Sequence, residues 1–318
     1  MNIDDKIKGA LYGMALGDAL GLGTEFMTRQ EVMSYYPDGL TDFSQFIHDM
    51  HRSLYKPGEW TNDTEVILRM LDPIVEDETI NLVKIAERLH DWYLEDNMDM
   101  NEPYRVVIPT EGWVKNPIVV CHRAWKNAKT LGASNEALNR ALIIGIFANE
   151  DVTIEELSRR LVNMTHDDER CVATTAMAAH LVSTYLYENR APSYEELYEL
   201  CRNIDERALA FLKMSYEGKL EDFHIDDEDT CWYTRKSLGV AMWALWHCKT
   251  PEEMLYKMVN AGGDADTNAS LALMLAGFKY GYSALPALKE KIIGKERLDE
   301  MADRLSALVK KKLKIKIN

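Results

Sequence analysis

Two short polar clusters in this chain carry oxygen donors dense enough to hold a cation. One is Asp264-Ala265-Asp266-Thr267-Asn268, which follows Gly262-Gly263 and precedes an alanine- and leucine-rich run. The other is Thr61-Asn62-Asp63-Thr64-Glu65, followed by Val66, Ile67, Met70, Leu71 and Ile74. Carboxylate, hydroxyl and amide oxygens suit hard cations such as Mg2+ or Mn2+. The glycine pair lets the backbone bend so that Asp264 and Asp266 can point at one place. Each cluster alone reads equally well as a helix cap, because a carboxylate accepts from an orphan N–H and favours the positive end of a helix dipole. Two such clusters in one chain begin to look like the two halves of a cation site.

Four further polar features stand apart from their surroundings. Asp18 lies within an apolar run, and Glu25 follows the helix end expected at Gly21-Leu22-Gly23. Gly132-Ala133-Ser134-Asn135-Glu136 and Thr165-His166-Asp167-Asp168 each precede a helical pattern. Helix N-termini present unpaired N–H groups that bind anions, so either segment could contact part of a phosphorylated ligand. Ser134 and Asn135 read equally well as helix caps, and a lone histidine such as His166 is more often a hydrogen-bonded structural residue than a ligand.

The elements that must position these residues are helical. Gly9, Gly13, Gly17 and Gly21 recur every four residues between Ile7 and Gly21, which places them on one helix face. Each glycine costs a helix about 1 kcal/mol relative to alanine, so the stripe implies close packing that compensates. Ala269, Leu273, Ala276, Gly277, Tyr280 and Gly281 form a second small-residue face, a candidate mate for the first. Between Thr28 and Glu59 no period persists, which predicts mostly loop with short helical pieces. A helix is expected from near Thr64. Further helices are expected over Leu82–Leu94, Val119–Ala128, Glu136–Phe147, Ile154–Met164, Cys171–Tyr187, Tyr194–Arg202, Ile204–Met214, Ser237–Trp246 and Met254–Asn260. No stretch alternates like a strand over a useful length, so the fold class is all-α, with Val106–Ile108 left open as an extended piece. The acidic run His224–Asp229 and the lysine-rich end, Lys310 to Lys316, read as solvated.

With 318 residues the chain can bury a large core, and no composition shift divides it, so one domain over residues 1–318 is expected. Acidic residues outnumber basic ones by 52 to 37, for a net charge of -15. That balance argues against nucleic acid or an anionic membrane as the main partner. The opening MNIDDKIKGALYG lacks the features of a secretory signal, and no apolar run reaches membrane-spanning length, so a cytoplasmic monomer is expected. Five scattered cysteines without a CxxC pair read as buried thiols.

In order along the chain, GALYGMALGDALGLGTEF, WTNDT, GASNEALNR, THDDE and AGGDADTNASLALMLAGFKYG together resemble the ADP-ribosylglycohydrolases, the group that includes the dinitrogenase reductase-activating glycohydrolase and the ADP-ribosyl-acceptor hydrolases. The resemblance covers nearly the whole chain. It implies a compact, orthogonal multi-helix bundle with a central metal cleft holding two Mg2+ or Mn2+ ions. Thr61, Asn62, Asp63, Asp264, Asp266 and Thr267 would be the ligands. Glu25, the last residue of a GDxxGxxxE pattern, would be the acid/base, with Asp63 and Asp264 also at the chemistry. Asp18, Gly112, Ser134, Asn135, His166 and Asp168 would contact substrate.

The reaction so implied is hydrolysis of the glycosidic bond between ADP-ribose and a protein side chain or small acceptor. A cation pair would fix the ribose diol while a carboxylate activates water or protonates the leaving group. The chain departs from the family pattern at three positions. Asn62 replaces an aspartate, keeping an oxygen ligand but not its charge; Glu136 replaces a glycine of the phosphate loop; Ala265 replaces a threonine. These departures keep two alternatives open: hydrolysis of another nucleoside or ribosyl substrate, and a silent member that only binds ADP-ribose or a nucleotide.

Overall fold

The structure, a computed structural model, describes residues 2–95 and 100–317, and among them the chain forms fifteen α-helices and no β-strand. The first five are α1 (Ile3–Gly21), α2 (Arg29–Tyr35), α3 (Asn62–Asp77), α4 (Leu82–Glu95) and α5 (Glu102–Val107). The middle of the chain supplies α6 (Pro117–Asn127), α7 (Ala141–Phe147), α8 (Ile154–Val162), α9 (Glu169–Ser183) and α10 (Tyr194–Ile204). The last five are α11 (Leu209–Glu217), α12 (Thr234–His247), α13 (Pro251–Val259), α14 (Ala265–Tyr280) and α15 (Lys295–Ile317).

The antiparallel pair α1 and α14 is the axis of the bundle and its most extensive helix contact. The α1 glycine stripe makes that contact possible. A Cβ on Gly13 would sit 2.1 Å from the Leu273 carbonyl oxygen, and one on Gly17 would sit 2.3 Å from that of Ala269. At one end Gly9 faces the Gly277 carbonyl, and at the other Gly21 lies over the Asp266 backbone. The expected mating of the two small-residue faces is thus what the fold uses. It also brings the C-terminal end of α1 to the start of α14, where Asp264 and Asp266 stand. Around this axis α12 and α13 pack on α14, α15 packs on α1, and α9 gathers α7, α8 and α10. One hydrophobic cluster runs from Ile7 to Val309 and draws on helices from both ends of the chain. No helix among the described residues is long and apolar enough to cross a membrane. All five cysteines are buried and free.

Several local expectations are corrected. Val106–Ile108 is not extended: Pro103 sits in the first turn of α5, and Val106 and Val107 end that helix. The helix expected from Glu136 begins later, as a 3-10 turn at Leu138–Arg140 leading into α7, because Asn135 and Glu136 have their side chains committed elsewhere. The segment expected as one helix over Ile204–Met214 is broken. Asp205 leaves helical geometry and its carboxylate accepts from the Arg207 N–H, so a new turn starts there before α11. The acidic run His224–Asp229 exposes most of its carboxylates but buries Ile225. Lys310, Lys311 and Lys312 are exposed as expected, although they continue α15.

Candidate metal centre and active cavity

Gly262 and Gly263 adopt φ values of +75° and +69°, a left-handed pair that turns α13 into α14. Space as well as conformation demands glycine here, since a Cβ on Gly263 would lie 1.8 Å from the Ile225 carbonyl oxygen and one on Gly262 2.3 Å from that of Met27. The same turn exchanges two backbone hydrogen bonds with the segment after Glu25: Phe26 N–H donates to Gly263 O at 2.7 Å and Gly263 N–H to Met27 O at 2.8 Å. The loop bearing Glu25 and the loop bearing Asp264 and Asp266 are therefore fastened to each other. One carboxylate oxygen from each of these three residues falls in a group whose atoms all lie within 4.8 Å of one another, spacing that fits a shared cation.

The second cluster arrives at the start of α3. Thr61 is its N-cap, accepting from Asp63 N–H, and its hydroxyl donates to Asn62 Oδ1 at 3.1 Å. Asp18, wholly buried, holds this turn from below. Its two oxygens accept from Thr61 N–H (2.9 Å), Thr64 N–H (2.9 Å) and the Thr64 hydroxyl (2.6 Å). Burial raises the Asp18 pKa to about 6 against the pull of these hydrogen bonds. Asp63 is left with Oδ2 buried and without a hydrogen-bond partner.

These groups meet at a cavity of about 270 Å³ lined by Glu25, Phe26, Asn62, Asp63, Ser134, Glu136, Trp232, Asp264, Asp266 and Thr267, with Asn101, Glu102, Pro103, Thr130, Leu131 and Gly132 completing the wall. Among these lining residues there is no lysine, arginine or histidine to balance six carboxylates. Burial, then the repulsion of Asp18 and Asp264, pushes the Asp63 carboxyl well above its ordinary value. Burial followed by Glu25, Asp264 and Asp63 does the same to Asp266, and burial raises Asp264. A bound divalent cation removes the conflict that raises these values, so the donor set and the orphaned Asp63 oxygen fit a hard metal ion.

The structure brings Glu25, Asn62, Asp63, Ser134, Asp264, Asp266 and Thr267 to the cavity and places the other sequence candidates elsewhere. Asp18, expected at the substrate, is absent from the lining and holds the Thr61–Thr64 turn. Thr61 caps α3 and does not line the wall. Asn135 lies behind the wall, where its amide donates to Asp264 Oδ2 and to the Ser237 hydroxyl, both at 2.8 Å. Gly112 is exposed, with φ +82°, away from the lining. Asp168 caps α9 and pairs with Arg170 outside the cavity.

His166 is buried behind Glu136, with Nε2 2.9 Å from Glu136 Oε2 and 3.1 Å from Ser134 Oγ. Arg140 donates to the Thr165 hydroxyl, which in turn faces His166 Nδ1 at 2.8 Å. That order places the imidazole proton on Nε2, toward Glu136. Burial lowers the His166 pKa, which keeps the ring neutral. Burial alone would raise the Glu136 pKa, but the hydrogen bonds from His166 and Ser134 outweigh it and hold the carboxyl below its ordinary value.

Sequence reasoning missed the aromatic rim. Phe26, at φ +59° and 55% exposed, and Trp232, 37% exposed, flank the opening. Trp232 packs over Gly132, and neither aromatic belongs to a periodic pattern that would have marked it. It also missed His51 and Arg52, which lie in the aperiodic stretch and reach back to Glu25.

With this geometry in view, the comparisons with known proteins agree with one another. Residues 1–314 match the family model for ADP-ribosylglycohydrolase. The chain is 25% identical over 305 residues to the ADP-ribosylarginine hydrolase Tri1 of Serratia proteamaculans, covering 95% of this chain and 79% of that protein. It is also 25% identical over 297 residues to the ADP-ribosyl-[dinitrogen reductase] glycohydrolase of Rhodospirillum rubrum, covering 90% and 89%. A solved structure described as an ADP-ribosylglycohydrolase-related protein complex superposes with a TM-score of 0.76 at 25% identity, over 97% of this chain and 99% of that one. The chain belongs to the ADP-ribosylglycohydrolase family. It is accordingly an enzyme, a hydrolase of ADP-ribose linkages built on an all-α fold.

Proposed function

We propose that this protein cleaves the bond between the anomeric carbon of ADP-ribose and an acceptor on an ADP-ribosylated protein or a small ADP-ribose conjugate, using two Mg2+ or Mn2+ ions held at the cavity floor. The observation that carries the reading is the convergence of Glu25, Asp63, Asp264 and Asp266, drawn from three parts of the chain, on one cavity with no cationic side chain in its lining. Asp63, Asp264 and Asp266, with the neutral oxygens of Asn62 and Thr267, would hold the ions. When bound, the ions supply a clamp for the ribose diol and a positive field for charge that develops in the transition state.

The chain's own residues then have distinct tasks. Glu25, at the edge of the carboxylate group, takes the proton of the attacking water or returns one to the leaving group. Asn135 fixes the direction of Asp264 from behind, and Asp18 fixes the Thr61–Thr64 turn. Phe26 and Trp232 offer flat apolar surfaces at the mouth for a planar ring. We assign the whole activity to a single domain of residues 1–318, supported by the core that joins both ends of the chain.

Glu136 favours a second reading. An ionised carboxylate in the wall opposes a diphosphate, so a ribosyl or nucleoside substrate without one would be accepted more readily. One assay distinguishes the two. With Mn2+ present, ADP-ribosyl-arginine, ADP-ribosyl-serine, O-acetyl-ADP-ribose and simple nucleosides are each incubated with the protein. Release of ADP-ribose, abolished by chelation, is the expected result. Turnover confined to nucleosides would support the second reading, and binding of ADP-ribose without turnover of any substrate would contradict both.

A further inference from the structure

Glu25 owes its place to a segment that the family motifs do not include. His51 and Arg52 lie at a short 3-10 turn, Arg52–Leu54, in the otherwise irregular stretch before α3. Arg52 is buried, and its guanidinium donates to the carbonyl oxygens of Gly23 (2.9 Å) and Glu25 (2.7 Å) while pairing with Asp49 at 2.5 Å. The backbone on which Glu25 stands is thus gripped from one side by Arg52 and from the other by the Phe26–Gly263 hydrogen bond. His51 acts on the side chain itself: its Nε2 lies 2.5 Å from Glu25 Oε2, and its ring sits 5.6 Å from that of Phe26. The His51 side chain is 28% exposed and that of Glu25 8%.

We propose that His51 is a positioning residue for Glu25. By binding Oε2 it fixes the rotamer of the carboxylate within the group that Glu25 forms with Asp264 and Asp266. A glutamate has three side-chain torsions, and clamping the backbone through Arg52 does not set the last of them. One short hydrogen bond from an aromatic ring that is itself packed on Phe26 does. The inference rests on the proposed role of the cavity as a cation site and glycohydrolase centre, and adds to it a residue outside the motif positions.

The test uses the full chain with His51→Leu and His51→Gln. Leucine fills the space without a donor, whereas the glutamine amide can present an N–H near the position of Nε2. His51→Leu is expected to lower kcat for release of ADP-ribose by about tenfold to a hundredfold with KM little changed, since a misdirected catalytic group costs turnover rather than binding. It is also expected to weaken Mn2+ binding, measured by calorimetry, by about tenfold, because a misdirected Glu25 carboxylate takes negative charge away from the group it forms with Asp264 and Asp266. Its metal-free melting temperature should match that of the parent, and His51→Gln should restore both kcat and Mn2+ affinity to within about threefold. His51→Leu with parental kcat and Mn2+ affinity, or His51→Gln as impaired as His51→Leu, overturns the proposal. If the parent chain takes up no Mn2+ and hydrolyses nothing, the reading of the cavity falls and this proposal falls with it.

Discussion

Asp266→Asn is expected to cut hydrolysis by about a thousandfold, equivalent to about 4 kcal/mol of transition-state stabilisation. Loss of one anionic ligand weakens the hold on the ions that position the ribose, and Asp266 contributes to the carboxylate group shared with Glu25 and Asp264. The same variant should be more stable than the parent when metal is absent. Burial and the charges of Glu25, Asp264 and Asp63 raise the Asp266 pKa, so the folded state binds a proton more tightly than the unfolded chain does. For an acid with a raised folded-state pKa, stability falls as pH rises through the ordinary value near 3.8 and keeps falling until the folded-state value is passed. Asparagine mimics the protonated form and escapes that loss. Metal-free Asp266→Asn should therefore be more stable than the parent at pH 7. Millimolar Mn2+ should reverse the order, because only the parent gains the full binding energy. Thermal melts at pH 5 and pH 7.5, with chelator and with Mn2+, check all three signs.

The α1–α14 contact gives the second large effect. Gly13→Val adds three carbons where even the first would lie 2.1 Å from the Leu273 carbonyl oxygen. Overpacking a core usually costs about 1–3 kcal/mol, and here the obstacle is backbone, which yields less than a side chain. A loss of about 4 kcal/mol or failure to fold is expected, read as a shift in the urea midpoint. Gly21→Ala probes the same contact at the site. Its Cβ would lie 2.3 Å from the Asp266 Cα, so the helices must separate where α14 presents its carboxylates. Activity should fall by about tenfold to a hundredfold even in protein that remains folded, since a shift of about 1 Å at a catalytic constellation is enough for that. A folded Gly21→Ala variant with parental activity would show that the helix contact does not set the geometry of the cluster.

What the sequence disclosed and what it hid divide along physical lines. The glycine stripe was legible because a spacing of four on a helix has one geometric meaning, and its mate on α14 carried small residues at a matching spacing. The oxygen-donor clusters were legible because both stand at helix starts beside apolar runs. Asp18 was harder to place. Its position in an apolar run marked it as unusual, but only the fold shows that it faces Thr61 and Thr64 rather than the cavity. Glu136 was recognised as a charge in the wrong place, while its neutral partner His166, thirty residues away in sequence, could not be assigned to it before the fold was known. Phe26, His51, Arg52 and Trp232 were invisible for a shared reason. They lie in irregular segments, where side-chain direction follows from tertiary hydrogen bonds rather than from a repeat.

The central claim is that four of the buried carboxylates of the cavity, Glu25, Asp63, Asp264 and Asp266, form a divalent-cation centre. Crystals of the protein soaked in millimolar Mn2+ and measured for anomalous scattering test it directly. Two peaks between Glu25, Asp63, Asp264 and Asp266, with oxygen ligands at about 2.2 Å, are the predicted result. Well-ordered density for these four side chains with no anomalous peak among them would contradict it.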